Sequence, residues 1–170
     1  MAVATTPHPR EEEVVVRSIV ERQEFSCPAG AAHVFLERDF ELRHGEERRV
    51  ALHVRVPVFG MLYLDKDVDV VMSPSAAGGD RDAYEMDVSW EAAGGPFPRF
   101  SGLLRIEPVG DGACVLELAG RYEPPGGVAG AAFDALLGNR VAQASLRELV
   151  TRIGRSVSAE YDRRVRSAVV

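Results

Sequence analysis

The C-terminal stretch from Arg140 to Val165 constrains the fold of this chain more than any other. Apolar residues recur in it every three to four positions, while charged residues fall on the opposite side. The apolar positions are Ala142, Leu146, Leu149, Val150, Ile153, Val157 and Tyr161. This period predicts an amphipathic helix. A rise of about 1.5 Å per residue gives the helix a length of roughly 39 Å, enough to cross a sheet, so the preceding residues must cover its apolar stripe.

The apolar stripe changes phase just before this helix. Phe133 and Leu137 are apolar, but the helical period puts them on the side where arginines later lie. Gly138 is suited to end one helix, and Asn139 is a suitable N-cap for the next. The sequence therefore predicts a break between these two residues, preceded by a short helix over residues 129–137.

The middle of the chain changes to a period of two, which is typical of strands. The five alternating runs are Arg48–Val58, Leu62–Met72, Ala83–Ala92, Arg99–Pro108 and Ala113–Tyr122. Short links require antiparallel hairpins, so one face of the sheet is apolar and the other faces water. An earlier strand is predicted over 14–27, with Glu21 unexpectedly on its apolar side, and one or two short helices over 28–42.

Composition restricts the class of protein. The chain of 170 residues predicts a single domain over 14–166 after a disordered tail over 1–13. The net charge of -6 and the lack of a basic patch argue against nucleic-acid binding, and no apolar run is long enough for a membrane span. Cys27 and Cys114 are predicted to be buried thiols of a cytoplasmic protein.

The order of the strands sorts the loops by end. The links over 59–61, 94–98 and 124–127 must lie at one end of the sheet, because consecutive strands alternate in direction. Phe59, Met61 and Phe97 lie in them and look exposed. An apolar rim at one end predicts the mouth of a pocket.

Two stretches resemble a known superfamily. They read FSCPAGAAHVFLE, from Phe25, and RYEPPGGVAGAAFDALLGNRVAQASLRELV, from Arg121. Together with the order of elements they resemble the START-like (SRPBCC) superfamily, which includes bacterial polyketide cyclase/dehydrase-like proteins and the birch pollen allergen family. The resemblance implies an α+β helix-grip fold, a curved antiparallel sheet of about six strands wrapped around the C-terminal helix. It also implies a cavity for lipids, sterols, polyketides or hormones that opens near the start of that helix.

Lys66 is the most unusual candidate residue. It lies on the apolar side of its strand, between Leu64 and Val68, where a cation is costly unless it is paired or reaches solvent. Glu21 is predicted on the same side of the sheet, so a pair with Lys66 would orient a polar group of a ligand. The alternative is that Lys66 extends to the rim.

Large aromatic side chains are also predicted on the inner face. Tyr84, Trp90, Phe100 and Tyr122 either stack on a flat ligand or fill the core. The complete predicted ligand-binding set is Glu21, Phe59, Met61, Leu64, Lys66, Tyr84, Met86, Trp90, Phe97, Phe100, Leu104, Tyr122, Phe133, Leu149 and Ile153.

No metal or cofactor site is indicated by the sequence. Asp65, Asp67 and Asp69 lack the glycine and glutamate spacing of a calcium loop, and their alternation favours a solvated strand face. The histidines are dispersed, and the glycines over 126–130 lack the spacing of a phosphate loop.

The sequence is compatible with three functions. The first is a non-catalytic binder or carrier of a hydrophobic small molecule. The second is a cyclase, aromatase or dehydratase-like enzyme that uses Lys66, Glu21 and the tyrosines. The third is a protein-interaction module that uses the apolar rim, and pairing with a second copy of the chain is also possible.

Overall fold

The computed structural model describes residues 16–39, 48–59, 62–75, 84–91, 97–124 and 138–168. Its elements are β1 (Arg17–Phe25), α1 (Ala29–Asp39), β2 (Arg48–Phe59), β3 (Leu62–Pro74), β4 (Tyr84–Glu91), β5 (Arg99–Val109), β6 (Ala113–Glu123) and α2 (Asn139–Ala168). The predicted α+β order is confirmed. The predicted tail over 1–13 and short helix over 129–137 lie outside the described residues.

The strands form one antiparallel sheet in the order β1-β6-β5-β4-β3-β2. The meander from β2 to β6 pairs each strand with the next, and β1 adds to the free side of β6. β1 and β2 are therefore the two edge strands. The sheet curls around α2 as the helix-grip prediction required, and we call the face turned towards α2 the inner face.

The predicted apolar stripe of α2 is buried. Ala142, Leu146, Leu149, Val150, Ile153 and Val157 are all buried, and Tyr161 is half-buried. The helix begins at Asn139, where the sequence predicted a break. Gly154 lies in the same stripe, and the ring of Phe25 from β1 packs directly against its backbone. α2 therefore approaches β1 more closely than a side chain on that position would allow.

α2 also contacts both edges of the sheet through its polar side chains. Gln143 Nε2 donates a hydrogen bond to the carbonyl of Val20 in β1 over 3.1 Å. Arg152 Nη1 donates one to the carbonyl of Ala51 in β2 over 3.1 Å. Edge-strand carbonyls otherwise remain unpaired or bind water. The helix thus lies between the two edges and bridges them.

A pair of glycines lies in the middle of the sheet. Gly102 of β5 and Gly120 of β6 face each other in the register, and the Phe100 ring covers both. A Cβ on Gly102 would lie 2.6 Å from Phe100 Cζ and 2.8 Å from Gly120 Cα. Glycines paired in this way let neighbouring strands approach and bend, which favours a curved sheet.

Cys27 and Cys114 are free and fully buried, as predicted. Burial, followed by the neighbouring Cys114 and Asp162, raises the pKa of the Cys27 thiol to about 11. Because only the thiolate is nucleophilic, we expect the native protein to resist alkylation by iodoacetamide at pH 8 and to react quickly in urea. Mass spectrometry after timed quenching measures both rates, and rapid native alkylation would contradict the buried position. A cytoplasmic location remains a prediction.

Candidate functional site

Three of the predicted aromatic residues form a continuous row on the inner face. Trp90, Phe100 and Tyr122 are partners across β4, β5 and β6, and each is at most 3 % exposed. The rings of Trp90 and Phe100 stack with centroids 4.2 Å apart. Trp90 Nε1 donates a hydrogen bond to the Pro98 carbonyl over 3.2 Å, and this bond holds the indole ring in its stacked orientation. We call these three residues the aromatic row.

Tyr84 does not join the aromatic row. It begins β4, six residues before Trp90, which corresponds to roughly 20 Å along an extended strand. Its ring stacks on His33 of α1 with centroids 3.9 Å apart. Tyr84 therefore packs against the core but lies apart from the aromatic row, because alternation gives the face of a residue and not its distance along the strand.

Lys66 lies on the inner face, as its position in the alternation predicted. It is the cross-strand partner of Val54, whose side chain is 2 % exposed, and Lys66 itself is half-buried. The next inward position on β3, Val68, is also 2 % exposed. An amine therefore interrupts an otherwise apolar part of this face.

Glu21 is buried on the inner face but is not paired with Lys66. Its carboxylate accepts hydrogen bonds from Gln23 Nε2 over 3.0 Å, from Gln143 Nε2 over 2.6 Å and from Arg147 Nε over 3.4 Å. The reason is the sheet order, because β6, β5 and β4 lie between β1 and β3. The predicted Glu21–Lys66 pair is therefore wrong, and Glu21 instead holds α2 on β1.

Thr151 extends this polar contact. Its hydroxyl donates a hydrogen bond to Gln23 Oε1 over 3.0 Å. The helix residues Gln143, Arg147 and Thr151 are spaced by four, which is the spacing of one helix face, and Glu21 and Gln23 are spaced by two on their strand. We call these five residues the β1 clasp. The sequence analysis did not predict the three helix residues of this clasp, although their spacing of four residues was a signal that could have identified them.

The ionised form of Glu21 is favoured by its surroundings. Burial acts to raise the pKa of this carboxyl, but hydrogen bonds from Gln23 and Gln143 and the charge of Arg147 outweigh it, so the pKa lies below its ordinary value of 4.5. A lowered folded-state pKa gives stability that is present above the unfolded-state pKa and is lost as the pH falls through the folded-state pKa. The clasp should therefore weaken in acid.

Replacing Glu21 by glutamine tests this linkage. We expect Glu21→Gln to lower the free energy of unfolding by about 1–2 kcal/mol at pH 7, because hydrogen bonds to a charged acceptor are stronger than neutral ones. The deficit should shrink as the pH falls below 4.5, because the unfolded chain binds the proton there first, and it should disappear once the pH falls through the lowered pKa of the folded protein. Urea unfolding from pH 7 to pH 3 measures it, and a deficit that is independent of pH would contradict the assignment.

The remaining predicted residues divide into three groups. Met86, Leu104, Leu149 and Ile153 are buried in the core. Phe97 is only 5 % exposed and packs in the same core, so its prediction as part of an exposed rim is wrong. Met61 and Phe133 lie outside the described residues. Phe59 and Leu64 lie in β2 and β3, and their side chains are outside the description.

The outer face of the sheet is charged. His53 Nε2 lies 2.6 Å from Asp65 Oδ1 and its Nδ1 lies 2.8 Å from Asp67 Oδ1, which raises the pKa of this histidine, mainly through the bond to Asp67. All three side chains are exposed, as predicted for a solvated strand face. Within the ranges that the structure describes, no group of three or more histidine, cysteine, aspartate or glutamate side chains is arranged to hold a metal ion.

A groove of about 830 Å³ also lies on this outer face. Arg49, Val71, Ser89, Ser101 and Arg121 line it, and they form one cross-strand row from β2 to β6. Trp90 and Phe100, two members of the aromatic row, also belong to its lining.

Comparisons with known proteins support the fold. No protein-family model and no curated protein matches the sequence. A conserved protein from Geobacillus kaustophilus is structurally similar, with a TM-score of 0.54, 15% identity, and coverage of 85% of this chain and 97% of the other. A truncated norcoclaurine synthase from Thalictrum flavum gives a TM-score of 0.50 and 12% identity, with 88% and 98% covered.

A Streptomyces aromatase/cyclase is also similar, with a TM-score of 0.48, 20% identity, and 91% and 98% covered. The likeness to the Geobacillus protein and to the truncated norcoclaurine synthase concerns the fold alone, and it agrees with the helix-grip architecture that the sequence resemblance implied. Within the described residues, no helix is long and apolar enough to cross a membrane.

Proposed function

We propose that this protein binds or carries a hydrophobic small molecule of lipid, polyketide or aromatic type between the inner face and α2. The aromatic row is the observation that carries the proposal. Two stacked rings and a phenol hydroxyl stand side by side on three neighbouring strands. Such a row offers a flat apolar wall with a polar group at one end, which suits a ligand with a planar or elongated apolar body.

The polar groups nearby suggest how such a ligand is oriented. Tyr122 supplies a buried hydroxyl, and the half-buried residue Lys66 supplies an amine from β3, the strand beyond that of Trp90. A small number of polar groups in an apolar site usually fixes ligand orientation and specificity. In this proposal Lys66 contacts a carbonyl or carboxylate of the ligand. Leu104, Leu149 and Ile153 form the apolar floor and the helix wall.

An enzyme of the cyclase, aromatase or dehydratase type is the alternative. Its predicted acid and base set included Glu21, whose carboxylate is occupied by the β1 clasp. The same set contains Lys66, Tyr84 and Tyr122 as acids or bases for proton transfer. A partner-binding module loses one of its three predicted rim residues, because Phe97 is buried. The geometry therefore favours binding over both alternatives.

Native mass spectrometry of the freshly purified protein tests the proposal. We expect a stoichiometric apolar adduct, which solvent extraction followed by mass spectrometry would identify by chemical class. Incubation of the extracted compound with fresh protein then separates carrier from enzyme, since only an enzyme consumes it. A protein without adduct that also shows no thermal shift with fatty acids, sterols, flavonoids or polyketides would contradict the proposal.

Paired tyrosine variants locate the ligand. Tyr122→Phe should weaken binding of the extracted compound about fivefold to tenfold, which corresponds to the loss of one hydrogen bond. Tyr84→Phe is the matched control, because this tyrosine lies roughly 20 Å away along its strand. Titration of intrinsic Trp90 fluorescence measures both affinities. Equal loss in the two variants would contradict the placement on the aromatic row.

A further inference from the structure

The charge of α2 is opposite in sign to the charge of the whole chain. The helix contains seven arginines and three acidic residues, which gives it a formal charge of +4, whereas the chain carries -6. All seven arginines are exposed, and they are Arg140, Arg147, Arg152, Arg155, Arg163, Arg164 and Arg166. One helix of an acidic protein therefore presents a positive surface to the solvent.

Most of this charge is not neutralised within the protein. Arg147 contacts Glu21 over 3.4 Å, and Glu160 contacts Arg163 and lies 3.1 Å from Arg164. Among the residues that the structure describes, four of the seven arginines form no ion pair: Arg140, Arg152, Arg155 and Arg166. The hydrogen bonds of Arg152 and Arg166 go to backbone carbonyls, which carry no net charge. The helix surface thus keeps its capacity to attract an anionic partner.

The acidic outer face of the sheet lies on the far side of the protein from this surface. Asp65, Asp67 and Asp69 are exposed on the outer face of β3, which is turned away from α2. A helix with its side chains is about 10 Å across, which is more than the Debye length of about 8 Å at physiological salt. These carboxylates are therefore screened from an anionic partner that approaches the outward side of α2.

The arrangement of the arginines suits an extended anionic surface. From Arg140 to Arg166 they occupy about 39 Å of helix, so they do not converge on one small anion. Near the C-terminal end, Val165 lies among arginines and is 45 % exposed. An exposed apolar residue among basic ones suits the boundary between headgroups and acyl chains, whereas a nucleic acid offers phosphates without an apolar layer. The pattern favours a membrane surface.

From this surface we propose that the outward side of α2 docks on an anionic phospholipid membrane, with its arginines on the headgroups and Val165 turned towards the acyl chains. Each basic side chain close to an anionic bilayer strengthens such binding. The choice of a membrane rests on the proposed function, because membranes hold apolar ligands. Since α2 is one wall of the proposed pocket, docking places that pocket beside the membrane with which the ligand is exchanged.

Flotation of the full chain with lipid vesicles tests the docking without any added ligand. The vesicles contain phosphatidylcholine alone or with about 30 mol % phosphatidylglycerol, which is anionic. We expect binding to the anionic vesicles and at least tenfold weaker binding to the neutral ones. Binding should also fall at least fivefold between about 0.05 M and about 0.5 M salt, because the Debye length shortens. Equal binding to both kinds of vesicle, or to neither, would overturn the docking.

Two double variants with the same change in net charge locate the contact. Arg155→Gln with Arg166→Gln removes two charges from the outward side of α2. Arg49→Gln with Arg121→Gln removes two charges from exposed positions on the outer face of the sheet and is the matched control. We expect the helix variant to bind the anionic vesicles about tenfold more weakly and the control less than twofold more weakly. Equal losses would overturn the docking, because they would show that net charge alone governs binding.

The docking and the proposed pocket can fail separately. An apolar adduct on the purified protein without binding to anionic vesicles would overturn the docking and leave the proposed function in place. Vesicle binding that only the helix variant loses, without an adduct or a thermal shift, would support the docking and count against the pocket ligand. Binding to a DNA duplex but not to anionic vesicles would overturn the docking and assign the arginines to a phosphate backbone.

Discussion

Replacing Gly102 by alanine should strongly destabilise the protein. The new Cβ would overlap the backbone oxygen of Ala119, lie 2.6 Å from Phe100 Cζ and lie 2.8 Å from Gly120 Cα. Two of these three obstacles are backbone atoms of β6, so relief requires that β5 and β6 separate in the middle of the sheet. We expect a loss of at least about 3 kcal/mol in the free energy of unfolding, the upper range for overpacking.

Gly112 provides the matched control for this substitution. It lies in the turn between β5 and β6, it does not have a positive φ, and nothing lies within 4 Å of the position that a new methyl group would take. Gly112→Ala should therefore keep or slightly raise stability, because alanine restricts the unfolded chain. Urea unfolding followed by circular dichroism compares the two variants with the parent. Similar midpoints for Gly102→Ala and Gly112→Ala would show that the strands do not approach closely at Gly102.

Periodicity predicted the elements because each pattern is local. The alternation from Arg48 to Tyr122 and the spacing of three to four in α2 reflect which side chains are buried, and burial is what the structure confirms. The sequence contains both Gly102 and Gly120, but it does not show that they lie opposite each other on neighbouring strands. Gly102 and Gly120 become neighbours only through the register of β5 with β6, which alternation does not specify to one residue.

The errors at the candidate site have a similar origin. Glu21 and Lys66 do share the inner face, so the prediction of their side was right. Their pairing failed because a shared face says nothing about how many strands separate two residues. The prediction for Phe97 failed for another reason. A phenylalanine between two prolines, in a stretch that begins with two glycines, looks like an exposed loop residue, but here it is buried in the core.

Replacing Gly154 by alanine should also destabilise the protein, although alanine favours helices. In an exposed helix the change would stabilise by up to about 1 kcal/mol. Here the methyl group would overlap three carbons of the Phe25 ring, because this ring packs directly on the helix backbone. We expect a net loss of about 2 kcal/mol or more in the free energy of unfolding, since β1 and α2 must move apart to admit the methyl group.

Gly30 in α1 is the matched control, because a Cβ there meets only the Tyr84 hydroxyl at an ordinary 3.8 Å. Gly30→Ala should leave the free energy of unfolding unchanged or raise it slightly. A loss at Gly154 together with no loss at Gly30 would identify packing against Phe25 as the cause.

Phe25→Leu combined with Gly154→Ala should recover part of the loss, because a smaller side chain makes room for the methyl group. Urea unfolding of the parent, of Phe25→Leu, of Gly154→Ala and of the double variant gives the coupling energy between the two positions. Additive losses would mean that Phe25 does not obstruct Gly154.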